Sequence, residues 1–71
     1  MKRIPLSSSN LAAVGYDPQT KTLEVEFKNG SIYQYNQVSE RIYAELMNAD
    51  SHGRYFNANV KNAGYAFKRI H

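Results

Sequence analysis

The clearest alternation of polar and apolar positions is in TLEVEFK, residues 22–28, where Leu23, Val25 and Phe27 interleave with Glu24, Glu26 and Lys28. Successive side chains of a strand point to opposite faces, so this stretch predicts a strand with its apolar residues inward and its charges outward. NLAAVGYD (10–17) reads as a second strand, with Leu11, Ala13 and Gly15 on one side and Ala12, Val14 and Tyr16 on the other. DPQTK joins the two as a turn, because Pro18 fixes its own φ and has no N–H for a ladder. A third strand follows over 31–37, and in it Tyr33 and Tyr35 share one face.

Which face they share depends on the turn before them. A two-residue loop, Asn29-Gly30, would pair Phe27 with Ile32 and lay both rings over Glu24 and Glu26. A three-residue loop, Lys28-Asn29-Gly30, closed by a bulge with Gly30 in the left-handed region, pairs Val25 with Tyr33 and Leu23 with Tyr35. One residue of register exchanges the two faces completely. The three-residue loop gathers Leu23, Val25, Phe27, Tyr33 and Tyr35 on one apolar face and misplaces only Ile32. Each aromatic–aliphatic cross-strand pair adds about 0.2–1 kcal/mol. The expectation is therefore that both tyrosine rings point inward.

After the strands the period changes. VSERIYAELMNAD (38–50) predicts a helix: Ser39 as N-cap, Glu40 in the first turn, Val38 and Tyr43 spaced as a hydrophobic staple, and Ile42, Tyr43, Leu46 and Met47 as the apolar stripe. RYFNANVKNAG predicts a shorter second helix, carried by Phe56 and Val60, weakened by three asparagines and ended at Gly64. YAFKRI (65–70) alternates weakly, as a short strand or an ordered tail. The predicted fold is α+β: a three-stranded antiparallel meander (10–17, 22–28, 31–37) followed by two short helices (39–49, 54–63) packed on one face. Residues 1–9 read as a flexible lead-in to a single domain over 10–71.

Composition sharpens this picture. The chain has 71 residues and no cysteine, so neither a disulfide framework nor a thiolate metal site is available, and six tyrosines and three phenylalanines are the bulk of the filling material. No apolar run is long enough to span a membrane, and Ile4-Pro5-Leu6 is too short for a signal peptide, so a cytoplasmic, membrane-free protein is expected. The net charge is +3, and its placement matters more than its size: residues 51–71 carry Arg54, Lys61, Lys68 and Arg69 and no acid. Such an asymmetry suits an anionic partner, although a solvated basic face that keeps a small protein in solution explains it as simply.

The order AAVGYD, LEVEFKNGSIYQY, a valine before a short helix, then SHGRYFNANVK resembles the KTSC domain, found at the C-terminus of some lysyl-tRNA synthetases and as a stand-alone bacterial protein. Its central Tyr-x-Tyr matches Tyr33 and Tyr35, preceded by Phe27 and Asn29-Gly30 and followed by Ser51, Gly53, Phe56 and Asn57, with the similarity running from about Ser8 to about Tyr65. The resemblance implies no reaction; its synthetase context suggests RNA. The motif residues Phe27, Gly30, Tyr33, Tyr35, Gly53, Phe56 and Asn57 are read as structural.

The residues themselves give little to catalysis. His52 sits in an interhelical turn, Glu24 and Glu26 alternate outward as strand charges ordinarily do, Asp50 with His52 is not a metal site, and no glycine-rich phosphate loop exists. No enzyme activity, metal or cofactor is expected. The best-supported function is a binding domain for single-stranded or structured RNA, through a basic and aromatic C-terminal surface of Arg54, Tyr55, Lys61, Tyr65, Lys68 and Arg69, with Phe67 among them. The alternatives are a protein-interaction module or a homodimerising domain built on an open strand edge.

Overall fold

The computed structural model describes all residues, 1–71. Its centre is a five-stranded antiparallel sheet whose strands lie in chain order: β1 (Ile4–Pro5), β2 (Leu11–Asp17), β3 (Thr22–Phe27), β4 (Ile32–Tyr35) and β5 (Phe67–Arg69). The helices α1 (Glu40–Asn48) and α2 (His52–Phe56), the latter continued by a π-helical turn over Asn57–Lys61, lie between β4 and β5 in sequence. The α+β class is as expected, but the three-stranded meander is corrected to five strands. Residues 1–9, expected as a lead-in, contribute β1, and the weakly alternating 65–70 stretch contributes β5.

The β3–β4 turn decides the faces. Gly30 has φ +93°, its N–H donates to the Phe27 carbonyl at 2.9 Å, and the Phe27 N–H donates to the Ser31 carbonyl at 2.9 Å. Val25 therefore pairs with Tyr33 and Leu23 with Tyr35, the register expected of the bulged three-residue loop. The resulting apolar face holds Leu23 and Val25, both fully buried, and Tyr35, 5% exposed. Strand β2 departs from simple alternation. Its register with β3 slips between Leu11 and Ala13, so Ala12 is an extra residue and Leu11 turns onto the core face beside Val14. The grouping of Leu11 with Ala13 and Gly15 is corrected accordingly.

Helix α1 begins where expected, with the Ser39 hydroxyl accepting from the Ile42 N–H at 3.3 Å. Leu46 is buried, and Ile42, Tyr43 and Met47 pack against the core. Helix α2 begins two residues before its expected start, because Ser51 caps it: its hydroxyl accepts from the Arg54 N–H at 3.2 Å. The continuation is not α-helical. The Asn62 N–H reaches back to the Asn57 carbonyl at 3.2 Å, an i to i+5 bond, and Asn62 Nδ2 bonds the same oxygen at 2.9 Å. Asn59 Nδ2 donates to the Tyr55 carbonyl at 3.1 Å. The asparagines that weaken an ordinary helix here satisfy backbone carbonyls.

Both helices cover the same face of the sheet. Phe56 and Val60, fully buried, complete the core with Leu11, Val14, Leu23, Val25, Tyr35, Val38 and Leu46. The opposite face is crossed by the N-terminal segment. Arg3 forms ion pairs with Glu24 and with Glu26 (3.2 Å), and Gln34 Nε2 donates to Glu24 at 2.8 Å. A Cβ on Gly15 would lie 2.6 Å from the Lys2 carbonyl oxygen, so only glycine lets that segment lie flat there. Glu24 is thereby buried with both carboxylate oxygens engaged. No helix of the protein is long and apolar enough to cross a membrane.

Candidate functional site

The helices do not reach the β4–β5 end of the core face, and an open cleft of about 320 Å³ remains there. Four rings line it: Phe27, Tyr33, Tyr35 and Phe67, joined at the rim by Asn29, Ser31 and Lys61. Tyr33 stands 5.7 Å from Phe27, nearly perpendicular, and 6.0 Å from Phe67. Tyr35 lies 5.5 Å from Phe67 and 5.5 Å edge-on from Phe56, which anchors the cluster to the core. Such spacings are those of attractive ring pairs, so the walls are held in place before anything binds.

Each wall has a local cause. β5 pairs Phe67 with Tyr35 and Arg69 with Tyr33, which puts Phe67 and Arg69 on the aromatic face and Lys68, opposite Gln34, on the other. No helix covers Phe67, and it is 59% exposed. The wide π-helical turn keeps Val60 in the core while the next residue, Lys61, reaches the cleft. Asn29 Oδ1 accepts from the Ser31 N–H (3.0 Å) and hydroxyl (2.7 Å), an arrangement set by the bulged loop.

The cations of the molecule differ in whether they are paired. All three of its ion pairs use Arg3 or Arg41. Arg54, Lys61, Lys68 and Arg69 have no acidic partner. On the covered face, burial pushes the Glu24 carboxyl up, but the hydrogen bonds from Gln34 and Arg3 outweigh it and hold the group below its ordinary range.

The expected C-terminal surface does not assemble as one patch. Lys61 is at the cleft, and Arg69 shares its face. Arg54 and Tyr55 line a separate shallow depression with Asp50, Ser51, Ala58 and Asn59. The Tyr55 hydroxyl donates to Glu45 at 2.5 Å, and burial followed by that bond pushes its pKa up to about 12. Tyr65 is half-buried against the core, and Lys68 is on the opposite face. The Tyr-x-Tyr pair is also divided. Tyr35 is buried in the core with only its edge at the cleft, while Tyr33 is packed against the core and more open along the wall. The sequence reading missed Phe27, Asn29 and Ser31 as lining residues. The signal for them was present in the bulged register, which directs the β3–β4 loop toward the rings of β4.

The remaining motif residues lie in the core or at close backbone contacts. Phe56 is the largest fully buried side chain. Gly53 sits where a Cβ would collide with the Asn10 amide oxygen, so α2 can approach β2 closely. Asn57 supplies the carbonyl that both Asn62 nitrogens bond.

The KTSC domain model matches residues 7–65, which include every one of these positions. This chain belongs to the KTSC domain family. A KTSC domain protein from Yersinia pestis, known from its crystal structure, superposes with a TM-score of 0.88 at 38% identity, covering 99% of this chain and 97% of that one. A protein of Stutzerimonas stutzeri is 46% identical over 70 residues, 99% of each chain. A lysine–tRNA ligase of Nostoc is 45% identical over 53 residues, 75% of this chain but 9% of the ligase. The related stretch is thus nearly the whole of two relatives and a small part of a lysine–tRNA ligase.

Proposed function

We propose that this KTSC domain is a non-catalytic binding module for single-stranded RNA and that the aromatic cleft is where the RNA binds. The observation that carries the reading is a preformed pocket with four aromatic walls and an unpaired lysine at its rim. Exposed rings stack on unpaired bases at about 1–3 kcal/mol each, without demanding a particular base. A cation with no acidic neighbour is free to neutralise a phosphate. No three of the chain's His, Asp or Glu side chains cluster as metal ligands would, and nothing in the cleft pairs a nucleophile with a base. The occurrence of related domains in lysine–tRNA ligases is consistent with an RNA partner.

The decisive experiment is fluorescence anisotropy with a labelled mixed-sequence single-stranded RNA. Binding is expected at low salt and is expected to weaken as salt rises. Phe67→Ala is expected to reduce affinity by about five- to a hundredfold, the loss of one stacking contact. An unchanged affinity in Phe67→Ala removes the cleft from the account, and no binding at low salt removes RNA.

One observation favours a second reading. β5 is an edge strand with Phe67 and Ile70 exposed, and such an edge accepts another strand. Lys68 and Arg69 on that edge repel a second copy of themselves, which makes a protein partner a better occupant than a twin. Light scattering separates the two: a doubled mass is the signature of the twin.

A further inference from the structure

We infer that the cleft holds a single nucleotide, its base against Tyr33 and Phe67 and its phosphate at Lys61, so that a nucleoside monophosphate is a sufficient ligand. The inference rests on the RNA-binding reading and narrows it to one unit of the chain.

The size of the cleft suits one such unit. About 320 Å³ is at the lower end of ligand pockets, space for one base with its sugar and phosphate rather than a run of bases. The polarity of the lining suits it as well. Asn29 Oδ1 is occupied by both donors of Ser31, which leaves the Asn29 amide NH₂ free. The hydroxyls of Tyr16 and Tyr55 are bonded inside the protein, to the Val38 carbonyl and to Glu45, while those of Tyr33 and Tyr35 have no partner within it. With the Lys61 ammonium, the cleft is rich in donors, contains no acid and has a single charge among its lining residues. It therefore complements a planar ring with acceptor edges and one anionic group.

The surroundings of the cleft limit it to one unit. A protein that tracks a strand needs a continuous cationic groove. Here Arg54 is in another depression beside Asp50, Lys68 is on the opposite face, and the Arg69 Nε donates to the His71 carbonyl at 3.0 Å. Lys61 is the one cation among the lining residues, and Arg69 lies on the same face. Counterion release from one or two contacts gives a slope of log affinity against log salt of about −0.7 to −1.4, shallow for a nucleic-acid binder.

The test is an amide-shift titration of the labelled full chain with AMP, adenosine and inorganic phosphate at low salt. AMP is expected to shift residues 29–33, 61 and 67 and to bind at least about tenfold tighter than adenosine, as one hydrogen bond to a charged group allows. Lys61→Gln is expected to bring AMP down to the level of adenosine, Phe67→Ala to remove both, and Lys68→Gln to change neither. All three residues are exposed, and the spectra themselves report whether the fold is kept. AMP binding no tighter than adenosine overturns the inference, as does inorganic phosphate shifting the same residues as strongly as AMP, which would mark an anion site only. If AMP fails while a single-stranded RNA hexamer still binds, the single-nucleotide unit is wrong and the RNA reading stands. If the hexamer also fails, both fall.

Discussion

Tyr33 and Tyr35 are the same residue two positions apart on one strand, yet burial gives them different work. Tyr35, wedged between Phe56 and Phe67, is expected to cost about 3–5 kcal/mol when truncated to alanine, the usual cost of a buried large aromatic. Phe67→Ala, at an exposed position, is expected to change stability by only about 0.5 kcal/mol. Urea denaturation of both variants measures the contrast; equal losses would mean that the cleft wall is structural and nothing more. Tyr55 makes a pH prediction. Its folded pKa is raised from 10.0 to about 12, first by burial and then by the bond to Glu45. A group whose folded pKa is raised contributes stability that is full below its unfolded pKa and is lost as pH rises through the folded one. Stability should therefore decline between pH 10 and 12, and Tyr55→Phe should make that decline shallower; an identical alkaline limb in the variant would contradict the assignment. At this scale the sequence was informative wherever a residue type has one conformational use. Gly30 closing a bulge and Ser39 capping a helix could be read directly, whereas the depth of Tyr33 could not, because it depends on how far α2 extends over the sheet.

Among the elements, β2, β3, β4 and α1 were legible because each carries its own period. β1 and β5 were not. Two residues including a proline, and three of which two are charged, are too short for alternation to declare itself. Both form because a neighbouring strand offers them a ladder. The cleft was hidden for the same reason: its fourth wall, Phe67, exists only once β5 pairs with β4. The π-helical turn was also beyond reach, since it depends on asparagine side chains bonding carbonyls that the turn itself exposes. β1 and the residues before it make a prediction of their own. Glu24 titrates below its ordinary range despite burial, because Gln34 and Arg3 hold its charged form. Its contribution is therefore present above the unfolded carboxylate range and is lost as pH falls through the folded value. Arg3→Gln should lower stability at pH 7 and flatten the acid limb below pH 4, as urea melts at the two pH values would reveal. A variant as stable as the parent at both would mean that the segment crossing the sheet is decoration. Gly15→Ala should act in the same direction by pushing the Lys2 carbonyl away.

Taken whole, the molecule has one face crossed by its own N-terminal segment, where Glu24 and Glu26 pair with Arg3, and another closed by helices except at one end. Glu24 and Glu26 are matched with Arg3, while the C-terminal cations pair with no acidic side chain. The sequence asymmetry marked these C-terminal cations but spread over one surface what the fold separates. Arg54, Lys61 and Lys68 are near in sequence order yet face three different ways. What survives is a small cationic, aromatic cleft rather than a broad basic patch, and the expected salt dependence is correspondingly weak. The most direct measurement is a map of amide shifts in the labelled protein as a single-stranded RNA hexamer is added at low salt. Perturbations confined to the β3–β4 loop, β4, Lys61 and β5 are predicted. Perturbations centred on Arg54 and Tyr55, or on the face crossed by Arg3, or none at all, would contradict the account.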